Sequence, residues 1–119
     1  MTDNPSSLMS VFNVLEEAPA AQPAKPRPAV KRLIQGDGAN LIVFTFSPGQ
    51  SLPDHRSAHP ITVSSLKGDI LFGCGDDTVT LTPGTIIHLK EHITHRVDYP
   101  GTAEGNAILL LTMLTGERH

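Results

Sequence analysis

The chain has 119 residues, 39% of them hydrophobic and 18% charged, with 12 Asp and Glu against 9 Lys and Arg. That length suits one domain with a single modest core and excludes a multidomain assembly. A net charge of -3 lacks the basic footprint of a nucleic-acid binder. The longest apolar run, residues 107–114, is far shorter than the roughly 20 residues that span a bilayer. The first basic residue, Lys25, comes too late for the charged start of a secretory leader. The expectation is therefore a cytoplasmic protein with neither nucleic acid nor membrane as a partner.

In chain order, residues 1–28 read as an arm or linker. They carry five of the ten prolines, and residues 18–29 alternate Pro with small and basic residues that cannot build a core. Within the arm, Leu8, Val11, Phe12 and Leu15 fit the spacing of a helical turn, whereas Met9, Val11, Asn13 and Leu15 fit a strand, and the sequence leaves both open. Residues 29–119 read as one domain. Turn signals recur at Gly36-Asp37-Gly38, Ser47-Pro48-Gly49, Lys67-Gly68-Asp69, Gly75-Asp76-Asp77, Pro83-Gly84, Pro100-Gly101 and Glu104-Gly105-Asn106. Gly, Asn and Asp tolerate positive φ and Pro fixes φ, so each marks a reversal. Between them lie eight short runs rich in aliphatic and β-branched residues: 30–34, 41–47, 61–66, 69–74, 78–81, 85–89, 95–99 and 107–114. Evenly spaced short strands with no helix among them predict an all-β, antiparallel sandwich or barrel.

Two of these runs are apolar on both faces. Ile42, Phe44 and Phe46 alternate with Leu41, Val43 and Thr45, and Leu109, Leu111 and Met113 alternate with Ile108, Leu110 and Leu114. A strand covered on one side alternates with polar residues, so both runs need a second surface. A homodimer supplies it most simply, and the arm of the same chain is the other source.

Five of the six histidines, His55, His59, His88, His92 and His95, fall within one stretch of chain. Imidazole is the commonest protein ligand for metals and a proton carrier near neutral pH, so the cluster marks a candidate site. His88, inside Ile86-Ile87-His88-Leu89, reads as an ordinary strand residue. The lone Cys74 reads as a buried, inert thiol, and Asp76 and Asp77 as a turn. Neither a nucleophile elbow nor a phosphate-binding glycine loop is visible. Phe44, Phe46 and Phe72 are candidate walls of a pocket, with His92 and Tyr99 near its mouth.

The stretch from Gly49 through His55 and His59 to Gly68 resembles the first motif of the cupins, in which a glycine, a histidine and a later glycine stand at fixed distances. The stretch from Gly84 to His95 is similar to the second, in which a histidine follows the opening glycine by eleven residues. The resemblance spans residues 30–114 and implies an antiparallel double-stranded β-helix, the cupin or jelly-roll barrel. It also implies a four-ligand metal centre, and here the chain departs from the family. The family's ligand positions correspond to His55, Ser57, Ile61 and His95, so only two of the four are ligands. Lys90, His92 and Tyr99 likewise replace the family's proline, glycine and asparagine.

His59 offers a replacement. On a straight strand its Cβ lies about 13 Å from that of His55, at ~3.3 Å per residue, but Pro60 breaks the strand, and a turn there swings His59 back beside His55. The expected metal set is then His55, His59 and His95. Three imidazoles without a carboxylate favour Fe, Zn, Ni or Cu over harder ions. The resemblance further implies chemistry of a dioxygenase or isomerase kind on a small organic molecule. The alternative is a non-catalytic module that binds or senses a small ligand in the same pocket without a metal.

Overall fold

The structure, a computed structural model, describes residues 8–116. It contains one helical turn, α1 (Val14–Glu17), and nine strands: β1 (Ala29–Ile34), β2 (Ala39–Phe46), β3 (Ser51–His55), β4 (Ile61–Lys67), β5 (Ile70–Cys74), β6 (Asp77–Leu81), β7 (Ile86–Leu89), β8 (His95–Asp98) and β9 (Ala107–Leu114). Eight of the nine are the runs outlined by the sequence, with ends displaced by no more than two residues. The addition is β3. Its sequence, Ser51-Leu52-Pro53-Asp54-His55, carries two residues that read as turn formers. Proline is tolerated because β3 lies at the edge of its sheet, where a missing N–H breaks no interior ladder.

The strands form two sheets, β1-β2-β9-β4-β7 and β3-β8-β5-β6, paired antiparallel throughout. Their inner faces meet in one core, with Ile42, Phe46, Ile61, Val63, Leu109 and Leu111 from the first sheet against Ile70, Phe72, Leu81 and Val97 from the second. The alternation of β4, in which Ile61, Val63 and Ser65 are buried, sets its inner face by the period of two. The unbroken register of β2 on β9, from Ala39 opposite Leu114 to Phe46 opposite Ala107, makes this pair the spine of the larger sheet.

Both strands of that spine are covered on their outer side as well. Val43 is fully buried and Thr45 nearly so, although both point away from Phe44 and Phe46. The chain's own arm contributes this cover: the Thr45 hydroxyl donates to the Pro19 carbonyl at 2.7 Å. The arm is pinned by Gln50, whose amide donates to the carbonyls of Gln22 (2.9 Å) and Lys25 (2.8 Å) while its oxygen accepts from the Ser47 N–H (2.7 Å). Lys31 on β1 adds an ion pair to Glu17 at 2.7 Å. Neither conformation read for residues 8–15 of the arm is realised: Met9 forms an isolated bridge, residues 10–13 form no element, and the helical turn, α1, starts only at Val14. Asn13 caps it by accepting from the Glu16 N–H, and Pro19 follows shortly after its end.

The barrel has two distinct ends. At one, Tyr99 is buried with its hydroxyl donating to the Gly105 carbonyl at 3.0 Å. Gly68 at this end has φ +82°, and a Cβ there would lie 2.8 Å from that of Ala107. Glycine is required on both counts. At the other end, β3 finishes and β8 begins, and two histidines meet.

Candidate functional site

The meeting depends on a bulge. β3 pairs with β8 through Leu52 opposite Val97 and His55 opposite His95, so β3 advances three residues while β8 advances two. In a regular ladder successive side chains alternate, and His55 would point away from the face that Leu52 covers. The extra residue in the Pro53-Asp54 segment restores it to the side of Leu52, Val97 and His95. The side chains of His55 and His95 are therefore cross-strand neighbours, with ring centroids 4.2 Å apart and an interplanar angle of 63°. On its other side His95 stacks on Phe72, with centroids 5.4 Å apart and 12° between the planes.

Both rings are held by the same device. His55 Nδ1 lies 2.8 Å from the Pro53 carbonyl and His95 Nδ1 lies 2.9 Å from the Ile93 carbonyl, in each case two residues back along the chain. A carbonyl only accepts, so Nδ1 carries the proton and donates, and in the neutral ring Nε2 keeps its lone pair. This is the tautomer and second contact that orient a metal-ligating histidine. His95 is only 3% exposed. Burial holds its pKa below the ordinary 6.5; the bond to Ile93 opposes the shift and the proximity of His55 adds to it. His95 is therefore neutral at pH 7, with Nε2 free to bind a cation or accept a hydrogen bond.

The donor chemistry fits an ion that accepts imidazole, with His55 and His95 as the residues that would hold it. No carboxylate takes part, and among the described residues no three His, Cys, Asp or Glu side chains are grouped so as to hold a metal. His59 follows in the loop between β3 and β4, its backbone N–H donating to the Ser57 hydroxyl at 3.1 Å. His92 is exposed in the loop before β8 at φ +64°. Its N–H donates to the Ser57 carbonyl at 2.7 Å, which ties the two loops together. His59 and His92 thus stand at the same end of the barrel as the pair without joining it.

The aromatic candidates divide along the barrel. Phe72 forms a wall of the histidine site. Phe44 lies partly buried in mid-strand, 6.2 Å from Phe46. Phe46, opposite Ala107, and Tyr99 belong to the opposite end. Burial, and then the charge of Asp69, raise the pKa of Tyr99 above 10.0. His88, on the exposed side of β7, lines a surface cleft of about 490 Å³ with Pro60, Lys90 and Leu114. This cleft includes neither His55 nor His95. The site is therefore placed at the pair.

β5 pairs with β8 through Leu71 opposite Asp98, Phe72 opposite Val97 and Gly73 opposite Arg96. Cys74, next on β5, pairs with Asp77 of β6 and is a free thiol, partly buried and packed against the core.

No family model matches the sequence, and no curated protein matches it. Solved structures do. The chain is similar to an RmlC-like cupin protein from Desulfovibrio desulfuricans, with a TM-score of 0.75 and 22% identity over 92% of this chain and 99% of that one. A conserved protein with a double-stranded β-helix domain from Klebsiella pneumoniae gives a TM-score of 0.74 and 19% identity over 92% of each chain. A cupin superfamily protein from Desulfitobacterium hafniense gives 0.65 and 19% identity over 74% of this chain and 77% of that one. With its two antiparallel sheets and the paired histidines of the two motifs, the chain has the cupin fold, an RmlC-like double-stranded β-helix.

Proposed function

We propose that the protein binds one divalent transition metal through Nε2 of His55 and His95 and takes a small organic molecule at the positions the protein leaves open. The observation that carries this reading is the matched pair of Nδ1 bonds to backbone carbonyls, which presents two Nε2 atoms on adjacent rings. A bound ion would act as a Lewis acid on an oxygen of that molecule, as chemistry of a dioxygenase or isomerase kind requires. The protein's own part is to fix both rings by the ladder and to wall the site with Phe72. His59, one loop away, is the imidazole that a loop movement would add. Zn, Cu, Ni and Fe suit such donors. Elemental analysis after incubation with each ion should give near-stoichiometric metal that is lost in His55→Ala and in His95→Ala.

A second reading is a metal-free module that holds a small ligand by hydrogen bonds to the same Nε2 atoms. The absence of a three-ligand group among the described residues favours it. Protein that takes up none of the four ions would establish it over the first. We also propose a homodimer in the cytoplasm. Since the arm contributes cover to the outer face of β2, the support for a partner copy shifts to the exposed Leu8, Val11 and Leu15 of the arm itself.

A further inference from the structure

We propose that the cleft on the outer face of the larger sheet is a second small-molecule site, which takes a monocarboxylate with an apolar body. It lies outside the barrel and its lining includes neither His55 nor His95, so the inference stands apart from the function proposed above. Its volume of about 490 Å³ is that of a cleft able to hold a small organic molecule. The strand register shows how it is made. His88 on β7 stands opposite Thr62 on β4, and Thr62 stands opposite Thr112 on β9. Ile61, the neighbour of Thr62, belongs to the core, so by alternation this row faces outward. Leu114, two residues beyond Thr112, is on the same face and 38% exposed, and its N–H donates to the Pro60 carbonyl at 2.9 Å. Leu114 and Pro60 thus give the cleft a fixed apolar wall.

The two rims differ in chemistry. One is bare backbone: the Thr115 N–H donates to the Gly38 carbonyl at 3.0 Å, and a Cβ at Gly116 would lie 3.2 Å from that oxygen. Gly38 has φ +87°, so glycine is required there, and neither glycine has a side chain to fill the cleft. The other rim carries His88 and Lys90, two residues apart along the chain and both lining the cleft. An imidazole and an ammonium beside an apolar wall suit an anionic head on an apolar body. The head accepts hydrogen bonds from both side chains, and the body covers Leu114. Glu91 lines the same cleft. Its negative charge opposes a second one on the ligand, which favours a monocarboxylate over a dicarboxylate or a phosphate ester. Among the described residues the arm, which reaches the outer face at Thr45 through Pro19, contributes none to this lining.

Hexanoate titrated into the ¹⁵N-labelled full chain tests the assignment, with hexanamide as its uncharged counterpart and adipate as its doubly charged one. Hexanoate should move the amide signals of Gly38, Lys90, Leu114 and Gly116 together along one saturating curve. Hexanamide and adipate should bind at least about fivefold more weakly, and so should hexanoate to His88→Ala and to Lys90→Ala, as loss of a charge-assisted hydrogen bond predicts. Both side chains are exposed, so both variants should fold, with signals elsewhere unchanged. His55→Ala should bind hexanoate as the wild type does while losing metal, which separates failure of this cleft from failure of the histidine pair. Hexanoate that leaves the four amides unmoved, moves His55 and His95 instead, or binds no better than hexanamide overturns the proposal. Shifts of the same amides when the protein alone is concentrated would show that a second copy covers the cleft, and would overturn it equally.

Discussion

At the scale of single residues, His95 ties stability to pH. Its folded pKa is depressed below 6.5, chiefly by burial, so well above pH 6.5 folded and unfolded chains are both neutral there. As pH falls, the unfolded chain takes up the proton first, and stability drops until the folded pKa is passed. Melting temperatures between pH 7.5 and 5 should therefore fall more steeply in the wild type than in His95→Gln; parallel slopes would contradict the assignment. Gly68 provides a second test. Gly68→Ala meets both a positive φ and a Cβ contact with Ala107, and should cost about 1–3 kcal/mol. Gly36→Ala, at φ +98° with open space around it, should cost only about 1 kcal/mol. Equal losses by denaturant titration would show that crowding at Gly68 has no effect. These residues were unequally legible: the turn role of Gly68 was evident from Lys67-Gly68-Asp69, whereas the burial and stacking of His95 required the packed barrel.

At the scale of elements, the bulge in β3 carries the site. Eight strands could be outlined from the sequence because their aliphatic runs lie between turn residues. β3 could not, since Pro53 and Asp54 resemble the punctuation itself. The motif located His55, but the face on which it stands depends on one extra residue in an edge strand. Deletion of Asp54 should close the bulge into a regular ladder in which His55 stands two residues from Leu52, on the same face and still opposite His95. Such a variant should fold, because β3 is an edge strand, and keep the metal uptake of the wild type; lost uptake would show that the bulge itself shapes the site. Gln50 is the corresponding element for the arm. Gln50→Ala leaves the Ser47 N–H and two arm carbonyls without their partner, and should cost about 2 kcal/mol and speed hydrogen exchange of the Lys25 amide, which donates to the Gln22 carbonyl. Unchanged melting and exchange would show that the arm is held by other contacts.

At the scale of the whole molecule, identities near 20% are enough to recognise the barrel but say nothing of its chemistry. The two-sided apolar pattern of β2 correctly called for a second surface, yet pattern alone could not say that the arm would contribute it. Light scattering at micromolar concentration should give a dimer; a monomer would remove the proposed role of Leu8, Val11 and Leu15. The central claim is that His55 and His95 act as one site through Nε2. Long-range ¹H–¹⁵N correlation of the histidine rings during a zinc titration tests it most directly. Both rings should begin as the Nδ1–H tautomer and shift together at Nε2, saturating at one zinc per chain. Shifts confined to His59, His88 or His92, or His55 and His95 responding separately, would contradict it.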